Sequence, residues 1–158
     1  MAYNLTKLSR QYRDKKMHEY ILGFETNKIV ILRNGCHIYK SFRSSPNNYR
    51  KFTLNEIEND VVNCQVYGHQ LVYFLFTGEV SQNKYEISHL CHNKGCINFE
   101  HLHMEPHAIN QQRIKCRNHH PNHRGPKTIC IGHNEYPDCL SKKAGYQIDN
   151  PPPFFFFC

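Results

Sequence analysis

The sequence predicts a single small α+β domain that is stapled by bound metal ions. Its 158 residues are enough to bury only a modest core. Strand-like and helix-like runs alternate along the chain, and eight cysteines accompany twelve histidines. In a reducing compartment such cysteines bind metals more often than they form disulfides, and zinc is the metal that Cys and His ligands favour. We therefore expect a zinc-stapled α+β domain with an N-terminal antiparallel β-hairpin or sheet.

The charge of the chain indicates an anionic partner. Twenty Lys and Arg residues against thirteen Asp and Glu residues give a net charge of +7. This balance favours nucleic acid over a membrane, although a solvated basic surface has the same composition. The N-terminus has no apolar segment, and no run approaches the roughly 18 apolar residues of a spanning helix. We expect an intracellular protein, nuclear if the source is eukaryotic, with no membrane partner.

A β-hairpin is predicted in KIVILRNGCHIYKSF, after an N-terminal extension of residues 1–27. Asn34-Gly35 favours a two-residue type I′ turn, with Arg33 opposite Cys36. Alternation then places four residues on one inward face: Ile29, Ile31, Cys36 and Ile38. An inward Cys36 suits a core residue and a buried metal ligand alike.

Residues 28–64 combine this hairpin with a basic, aromatic segment and a short helix. The candidate DNA-contacting cations of the segment are Lys40, Arg43, Arg50 and Lys51. Cations among aromatic residues suit phosphate contacts, although charge at a sheet edge has the same pattern. Thr53 and Glu56 have capping-box spacing, which predicts a helix with an inner stripe of Leu54, Ile57, Val61 and Val62.

The main core element is predicted in VYGHQLVYFLFTGEV, a mostly apolar helix that ends at Gly78. His69 in this helix is interpreted as a structural polar residue. The next segment is the densest in metal ligands. Cys91, Cys96 and His101 form a C-x4-C-x4-H run that supplies three of the four ligands of a closed tetrahedral zinc site. Cys36 is the best candidate for the fourth ligand, ahead of Cys64.

A second group of possible zinc ligands lies downstream and comprises Cys116, Cys130, His133 and Cys139. Any one of His119, His120 and His123 could replace His133. Structural zinc contributes roughly 10 to 16 kcal/mol of apparent binding free energy in small finger peptides. Two such sites would explain how so small a basic chain folds.

His89 and Asn110 remain after this assignment, and they could meet in one cleft. NFEHLHMEP is typical of a strand and HAINQQRIKC of a helix, so the order is strand, metal loop, strand, helix. Such a unit can bring an imidazole and an amide oxygen together. Nuclease chemistry needs a base for water and an oxygen ligand for a hard cation. Taken singly, a core histidine and a solvent-facing asparagine are the simpler interpretations.

The segment SHLCHNKGCINFEHLHMEPHAINQQRIKC resembles the signature of the His-Cys box homing endonucleases, which are HNH-like nucleases of the ββα-metal, or His-Me finger, superfamily. The resemblance implies a ββα-metal nuclease core, placed at residues 65–140. It implies that His89 is the general base, that Asn110 holds one Mg2+, and that Arg50 contacts the scissile phosphate. It assigns the first zinc to Cys36, Cys91, Cys96 and His101. It assigns the second to Cys116, Cys130, His133 and Cys139.

The implied function is a Mg2+-dependent DNA endonuclease, a hydrolase that cuts double-stranded DNA and leaves 5′-phosphate and 3′-hydroxyl ends. The resemblance also implies that the protein binds two structural zinc ions and forms a homodimer. The chain departs from the family at Phe99, where a proline usually follows the asparagine. The alternative is a noncatalytic zinc-stabilised DNA-binding module, which would not explain His89 and Asn110 at matching positions. A RING-like adaptor would explain the cysteines, but neither this pair nor the charge.

The C-terminal tail, residues 141–158, is of low complexity and ends in PPPFFFFC. Pro151 to Pro153 favour an extended polyproline segment. The four phenylalanines that follow suit packing on a partner subunit, or the tail has no independent function. Cys64 and Cys158 have no assigned role.

Overall fold

The computed structural model describes residues 5–40, 49–56, 61–118, 133 and 135–140. Its helices are α1 (Arg10–Glu25), α2 (Gly68–Thr77) and α3 (His107–Asn118). Its strands are β1 (Ile29–Ile31), β2 (His37–Tyr39), β3 (Lys51–Glu56), β4 (Val61–Tyr67), β5 (Tyr85–His89) and β6 (Leu102–Pro106). The strands pair as three antiparallel two-stranded sheets, β1 with β2, β3 with β4 and β5 with β6. The predicted α+β class is confirmed.

Helix α1 lies in the segment that the sequence analysis treated only as an extension. The Ser9 hydroxyl caps its N-terminus by accepting a hydrogen bond from the Tyr12 amide, at 3.1 Å. The amide and hydroxyl of Ser9 in turn donate to the Glu56 carboxylate, which is buried at the end of β3. The cap therefore ties the start of α1 to the second sheet.

The hairpin of β1 and β2 forms, but its predicted register is wrong by one residue. Ile31 pairs with His37, so Leu32 rather than Arg33 lies opposite Cys36 and the loop has three residues. A type I′ turn needs a positive φ at both central residues, and here only Gly35 has one, at 76°. The Asn34 side chain instead accepts a hydrogen bond from the Cys36 amide, at 3.2 Å.

This shift separates the four residues that were predicted to share one face of the hairpin. Cys36 and Ile38 remain together and are buried, as predicted. Ile29 is buried on the opposite face, against α1 and α2, and Ile31 is 53% exposed. A change of one residue in register moves a side chain to the other face of a strand.

The helix predicted from Thr53 to Val62 is wrong, because both ends of this segment are strands. Leu54 pairs with Cys64, and Glu56 pairs with Val61. Leu54 and Val61 are buried as predicted, in a cluster with Leu71 and Phe74. Ile57 lies outside the described residues. The spacing of apolar residues was compatible with a helix, but Leu54 lies in β3 and Val61 in β4, and the pairing of these strands places both side chains in the core.

Helix α2 is the central core element, as predicted. Leu71 and Phe74 pack towards the second sheet, whereas Val72 and Tyr73 pack against α1 and the β5–β6 hairpin. The helix ends at Gly78 in the left-handed conformation, with φ of 75°. In the described part of the chain, no helix has the length and apolar character needed to cross a membrane.

The order strand, metal loop, strand, helix is confirmed by β5, β6 and α3. His89 is the last residue of β5 and pairs with Leu102 at the start of β6. Helix α3 follows β6 directly and packs against both strands. Asn110 lies in its first turn. The fold thus places the imidazole and the amide on adjoining elements.

Gly78→Ala tests the end of α2. An added Cβ would meet no atom within 4 Å, so only the positive φ opposes the substitution. We expect a loss of about 1 kcal/mol in the free energy of unfolding, because left-handed backbone is unfavourable for residues with a Cβ. Urea denaturation of the zinc-loaded protein measures it. Gly78→Asn should cost less, since Asn tolerates this conformation, and equal losses would contradict the explanation.

Candidate metal centres and active site

Cys36, Cys91, Cys96 and His101 meet in one cluster between the first hairpin and the loop that joins β5 to β6. Their ligand atoms all lie within 4.8 Å of one another. Cys36 and Cys96 are completely buried, and His101 is buried beside them. Cys64, the competing candidate for the fourth position, packs in a different cluster.

The spacing within this cluster fits a tetrahedral zinc ion. Nδ1 of His101 lies 3.6 Å from Sγ of Cys36 and 3.6 Å from Sγ of Cys96. Zinc to sulfur and zinc to nitrogen bond lengths at a tetrahedral angle require about 3.6 Å between such atoms. These four residues could hold a zinc ion.

The thiols of this cluster are hydrogen-bonded to one another, and these bonds change their pKa values in opposite directions. Hydrogen bonds from Cys36 and Cys91 hold the pKa of the Cys96 thiol well below its usual range. The pKa of Cys91 is raised by its hydrogen bonds with Cys36 and Cys96 and by burial. Zinc binds thiolates, so a cation would displace the remaining protons and neutralise the buried charge.

Three hydrogen bonds outside the ligands fix the cluster to the fold. The Asn98 side chain donates to the Gly35 carbonyl at 2.9 Å, and the Ile97 amide donates to the His37 carbonyl at 3.0 Å. The Tyr20 hydroxyl of α1 donates to the Ile97 carbonyl at 3.2 Å. Phe99, the departure from the family pattern, stacks on Phe76 with ring centroids 4.7 Å apart. It therefore adds a packing contact.

A second group comprises Cys116, His133 and Cys139, whose ligand atoms lie within 4.8 Å of one another. Nε2 of His133 is 3.7 Å from Sγ of Cys116 and 3.2 Å from Sγ of Cys139. This group could also hold zinc. Cys130, the predicted fourth ligand, lies outside the described residues, as do the alternative ligands His119, His120 and His123.

A buried ion pair supports this second group. The Arg113 guanidinium donates two hydrogen bonds of 2.7 Å to the Glu105 carboxylate. Its third nitrogen donates to Sγ of Cys139 at 3.6 Å, and both Arg113 and Glu105 are almost completely buried. A guanidinium beside a thiolate stabilises the charged form that binds metal. Sequence reasoning missed this pair, although Arg113 lies three residues after Asn110 on the same helix.

His89 is buried with a fixed ring orientation. Its Nε2 donates to the Cys96 carbonyl at 3.0 Å, since a carbonyl oxygen can only accept. Burial lowers the pKa of His89, so the ring is neutral near pH 7 and Nδ1 carries the lone pair. The metal loop thereby sets the tautomer that a general base needs.

Asn110 is oriented by a carboxylate on β5. Its Nδ2 donates to Glu86 at 2.6 Å, and His107 Nδ1 donates to the other oxygen of Glu86 at 2.8 Å. Despite partial burial, the hydrogen bonds from Asn110 and His107 lower the pKa of Glu86, which is therefore ionised. The amide oxygen of Asn110 then faces away from this carboxylate. No sequence signal pointed to Glu86, because its contact with α3 depends on the angle between helix and strand.

The four residues predicted to contact DNA differ in their exposure and in their neighbours. Lys40 is exposed at the end of β2, and Arg43 lies outside the described residues. Arg50 is half-buried, with its guanidinium carbon 5.3 Å from the ring centres of Tyr39 and Phe52. Lys51 lies over the Tyr67 ring at 5.4 Å.

His69 is buried in α2, as a structural residue would be, and its ring lies 4.7 Å from that of His89. Burial lowers the pKa of His69 well below its usual value. Two tyrosine rings, those of Tyr49 and Tyr67, pack against His69 at 5.0 and 5.8 Å. The sequence analysis placed neither tyrosine beside these histidines, and Tyr49 also lies 5.8 Å from the ring of His89.

The comparison with protein families covers most of this arrangement. Residues 35–150 match the family described as the zinc-binding loop region of homing endonuclease. The chain belongs to this His-Me finger family. Membership implies a nuclease-type function and zinc binding, and it suggests DNA binding. The matched range contains both Cys/His groups and both His89 and Asn110. No curated protein and no solved structure matches the chain.

Cys36→Ala tests the first centre. We expect the zinc content to fall from two ions per chain to one, because Cys36 supplies one of four close ligand atoms. Native mass spectrometry measures the stoichiometry. Cys64→Ala is the matched control, since Cys64 belongs to neither group, and it should retain two ions. Two tightly held ions in Cys36→Ala would exclude Cys36 as a ligand.

Arg113→Met tests the buried pair beside the second group. It leaves the Glu105 carboxylate buried without its partner, so we expect a loss of about 3 to 5 kcal/mol in the free energy of unfolding. Adding Glu105→Leu should restore much of that loss, since two apolar residues leave no buried charge. Lys16→Ala, which removes the more exposed pair with Glu19, should cost less than about 1 kcal/mol. Urea denaturation measures the free energy of unfolding of each variant. Similar losses for Arg113→Met and Lys16→Ala would contradict this explanation.

Proposed function

We propose that this protein is a Mg2+-dependent DNA endonuclease in which His89 is the general base. The observation that carries the proposal is the hydrogen bond from Nε2 of His89 to the Cys96 carbonyl, at 3.0 Å. It leaves Nδ1 unprotonated in a neutral ring, which is the state that a base requires.

In the proposed reaction, Nδ1 of His89 takes a proton from a water molecule. The water oxygen attacks phosphorus in line with the 3′ oxygen, so one P–O bond forms as the P–O3′ bond breaks. The 3′ oxygen leaves and takes a proton from solvent, which gives 5′-phosphate and 3′-hydroxyl ends. Arg50 would hold a nonbridging phosphate oxygen, and its half-buried guanidinium between two rings supports such a directed contact.

Asn110 has the chemistry to hold the catalytic cation. Mg2+ prefers oxygen ligands, and the amide oxygen of Asn110 supplies one, while the ionised carboxylate of Glu86 fixes the amide by accepting a hydrogen bond from its Nδ2. When bound there, Mg2+ would stabilise negative charge on the leaving 3′ oxygen. Both zinc ions would be structural, because a closed four-ligand site has no open position.

Three further parts of the proposal rest on composition or on the family resemblance. Double-stranded DNA is the proposed substrate, which suits the net charge of +7. An intracellular site of action, the nucleus in a eukaryote, suits thiolate ligands that need a reducing environment. A homodimer rests on the resemblance alone, since residues 141–158 lie outside the described residues.

His89→Ala is the decisive test. We expect cleavage of supercoiled plasmid and of a random-sequence DNA library to be lost, by at least the roughly 100-fold that a general base contributes. Zinc content and DNA affinity should stay close to those of the wild type. Asn110→Ala should reduce the cleavage rate, and the remaining cleavage should require a higher Mg2+ concentration.

The matched control is His18→Ala, which removes an exposed histidine of α1 and should leave cleavage unchanged. Wild-type rates in His89→Ala would refute the assignment of the base. DNA binding without cleavage by zinc-loaded wild-type protein in Mg2+ would favour the noncatalytic DNA-binding module.

A further inference from the structure

A surface of tyrosine and lysine residues lies beside His89. We call it the tyrosine platform, and it consists of Tyr49, Tyr67, Lys51 and Lys94. The rings of Tyr49 and Tyr67 are 5.3 Å apart. Tyr49 also lies 5.8 Å from the ring of His89. The platform therefore begins at the residue that is proposed to act on the substrate.

The rings pass from buried to exposed along this surface. His89 and His69 are 8% and 7% exposed, whereas Tyr49 and Tyr67 are 38% and 37% exposed. Tyr67 stacks on His69 with an interplanar angle of 22°. The buried imidazoles thus lie against the inner sides of the phenol rings, and the outer parts of the rings are exposed to solvent beside two lysine side chains.

Each tyrosine ring carries a lysine ammonium. Nζ of Lys94 lies 5.2 Å from the centre of Tyr49, and Nζ of Lys51 lies 5.4 Å from that of Tyr67. The ion pairs between described residues involve other cations, so neither lysine is neutralised by a carboxylate there. Two positive charges beside the proposed active site suit consecutive phosphates of one strand, and on binding phosphate the ammonium groups would leave the ring faces.

The combination of exposed rings and cations is typical of surfaces that bind unpaired nucleotides. Aromatic side chains bind bases by stacking on their faces, and lysines follow the backbone. In a fully paired duplex, each base face is covered by the neighbouring base, so an exposed ring gains little. A nucleotide that has left the stack offers its face to such a ring.

Resting on the proposed nuclease function, we infer that the tyrosine platform binds a DNA strand with an unstacked nucleotide next to the scissile phosphate. Lys51 and Lys94 move from the ring faces to the phosphates on either side, and Tyr49 and Tyr67 pack on the unstacked base. The enzyme therefore prefers DNA that is bulged or locally opened over the same sequence as a regular duplex. This preference adds to whatever target sequence the enzyme reads.

Fluorescence anisotropy of the full, zinc-loaded chain tests the inference without Mg2+, so that binding is separated from cleavage. The probes are a short duplex and the same duplex with a central bulge. We expect the bulged duplex to bind on the order of tenfold more tightly, in line with the contribution of one stacked base. Tyr67→Ala should abolish the difference, and Tyr67→Phe should keep it.

Tyr85→Ala is the matched control, because Tyr85 is an exposed tyrosine, 46% accessible, on β5 away from the platform contacts. It should bind both probes as the wild type does. Lys94→Gln should weaken binding of both probes and reduce the slope of log affinity against log salt by about one. This variant keeps the test informative if Tyr67→Ala fails to fold.

The fluorescent base 2-aminopurine in the bulge reports stacking directly. Its emission should be quenched when wild type or Tyr67→Phe binds, and much less so with Tyr67→Ala. Equal affinity of the wild type for the two probes, or full quenching by Tyr67→Ala, would overturn the inference. Cleavage without a preference for bulged DNA would refute only the platform. Preferential binding of bulged DNA without cleavage in Mg2+ would refute only the nuclease.

Discussion

The cluster of Cys36, Cys91, Cys96 and His101 is the constraint on which the rest of the structure depends. It joins the first hairpin to the loop between β5 and β6, which also share a few hydrogen bonds and an apolar cluster that contains Ile29 and Ile97. The same loop fixes His89, because the Cys96 carbonyl accepts the hydrogen bond from Nε2. Structure and proposed chemistry therefore share one residue: the side chain of Cys96 faces the cluster and its backbone faces the base.

The second Cys/His group is linked to Asn110 in a similar way, through the helix that carries it. Cys139 accepts a hydrogen bond from Arg113, and Arg113 is paired with Glu105 on β6. Arg113 lies one turn after Asn110, so the group that could hold the second zinc sets the position of α3 on the strands. The proposed base and the proposed cation ligand are each anchored by a separate Cys/His group.

The parts of this fold that could be predicted are those with strong local signals. The spacing of Cys91, Cys96 and His101, the apolar run of α2 and its terminal glycine each specify local structure by themselves. The failures have a common cause, which is pairing between distant segments. The segment from Thr53 to Val62 has apolar residues at helical spacing. Its described residues nevertheless lie in two strands, because β3 and β4 pair with each other. The contact of Glu86 with Asn110 and the ring contact of Tyr49 with His89 depend on the angles at which helices and strands pack. No local sequence pattern encodes these angles.

The distance along the chain between Cys36 and His101 has a consequence for synthesis on the ribosome. The contact of these two ligands spans 65 positions. A nascent chain therefore presents Cys36 long before the remaining ligands emerge, and the first hairpin has no metal site to join until residue 101 has left the exit tunnel. Closing so long a loop is entropically unfavourable, and a zinc ion bound at the cluster would supply the compensating free energy. Cellular zinc supply would then determine how much newly made chain matures and how much is left for proteolysis.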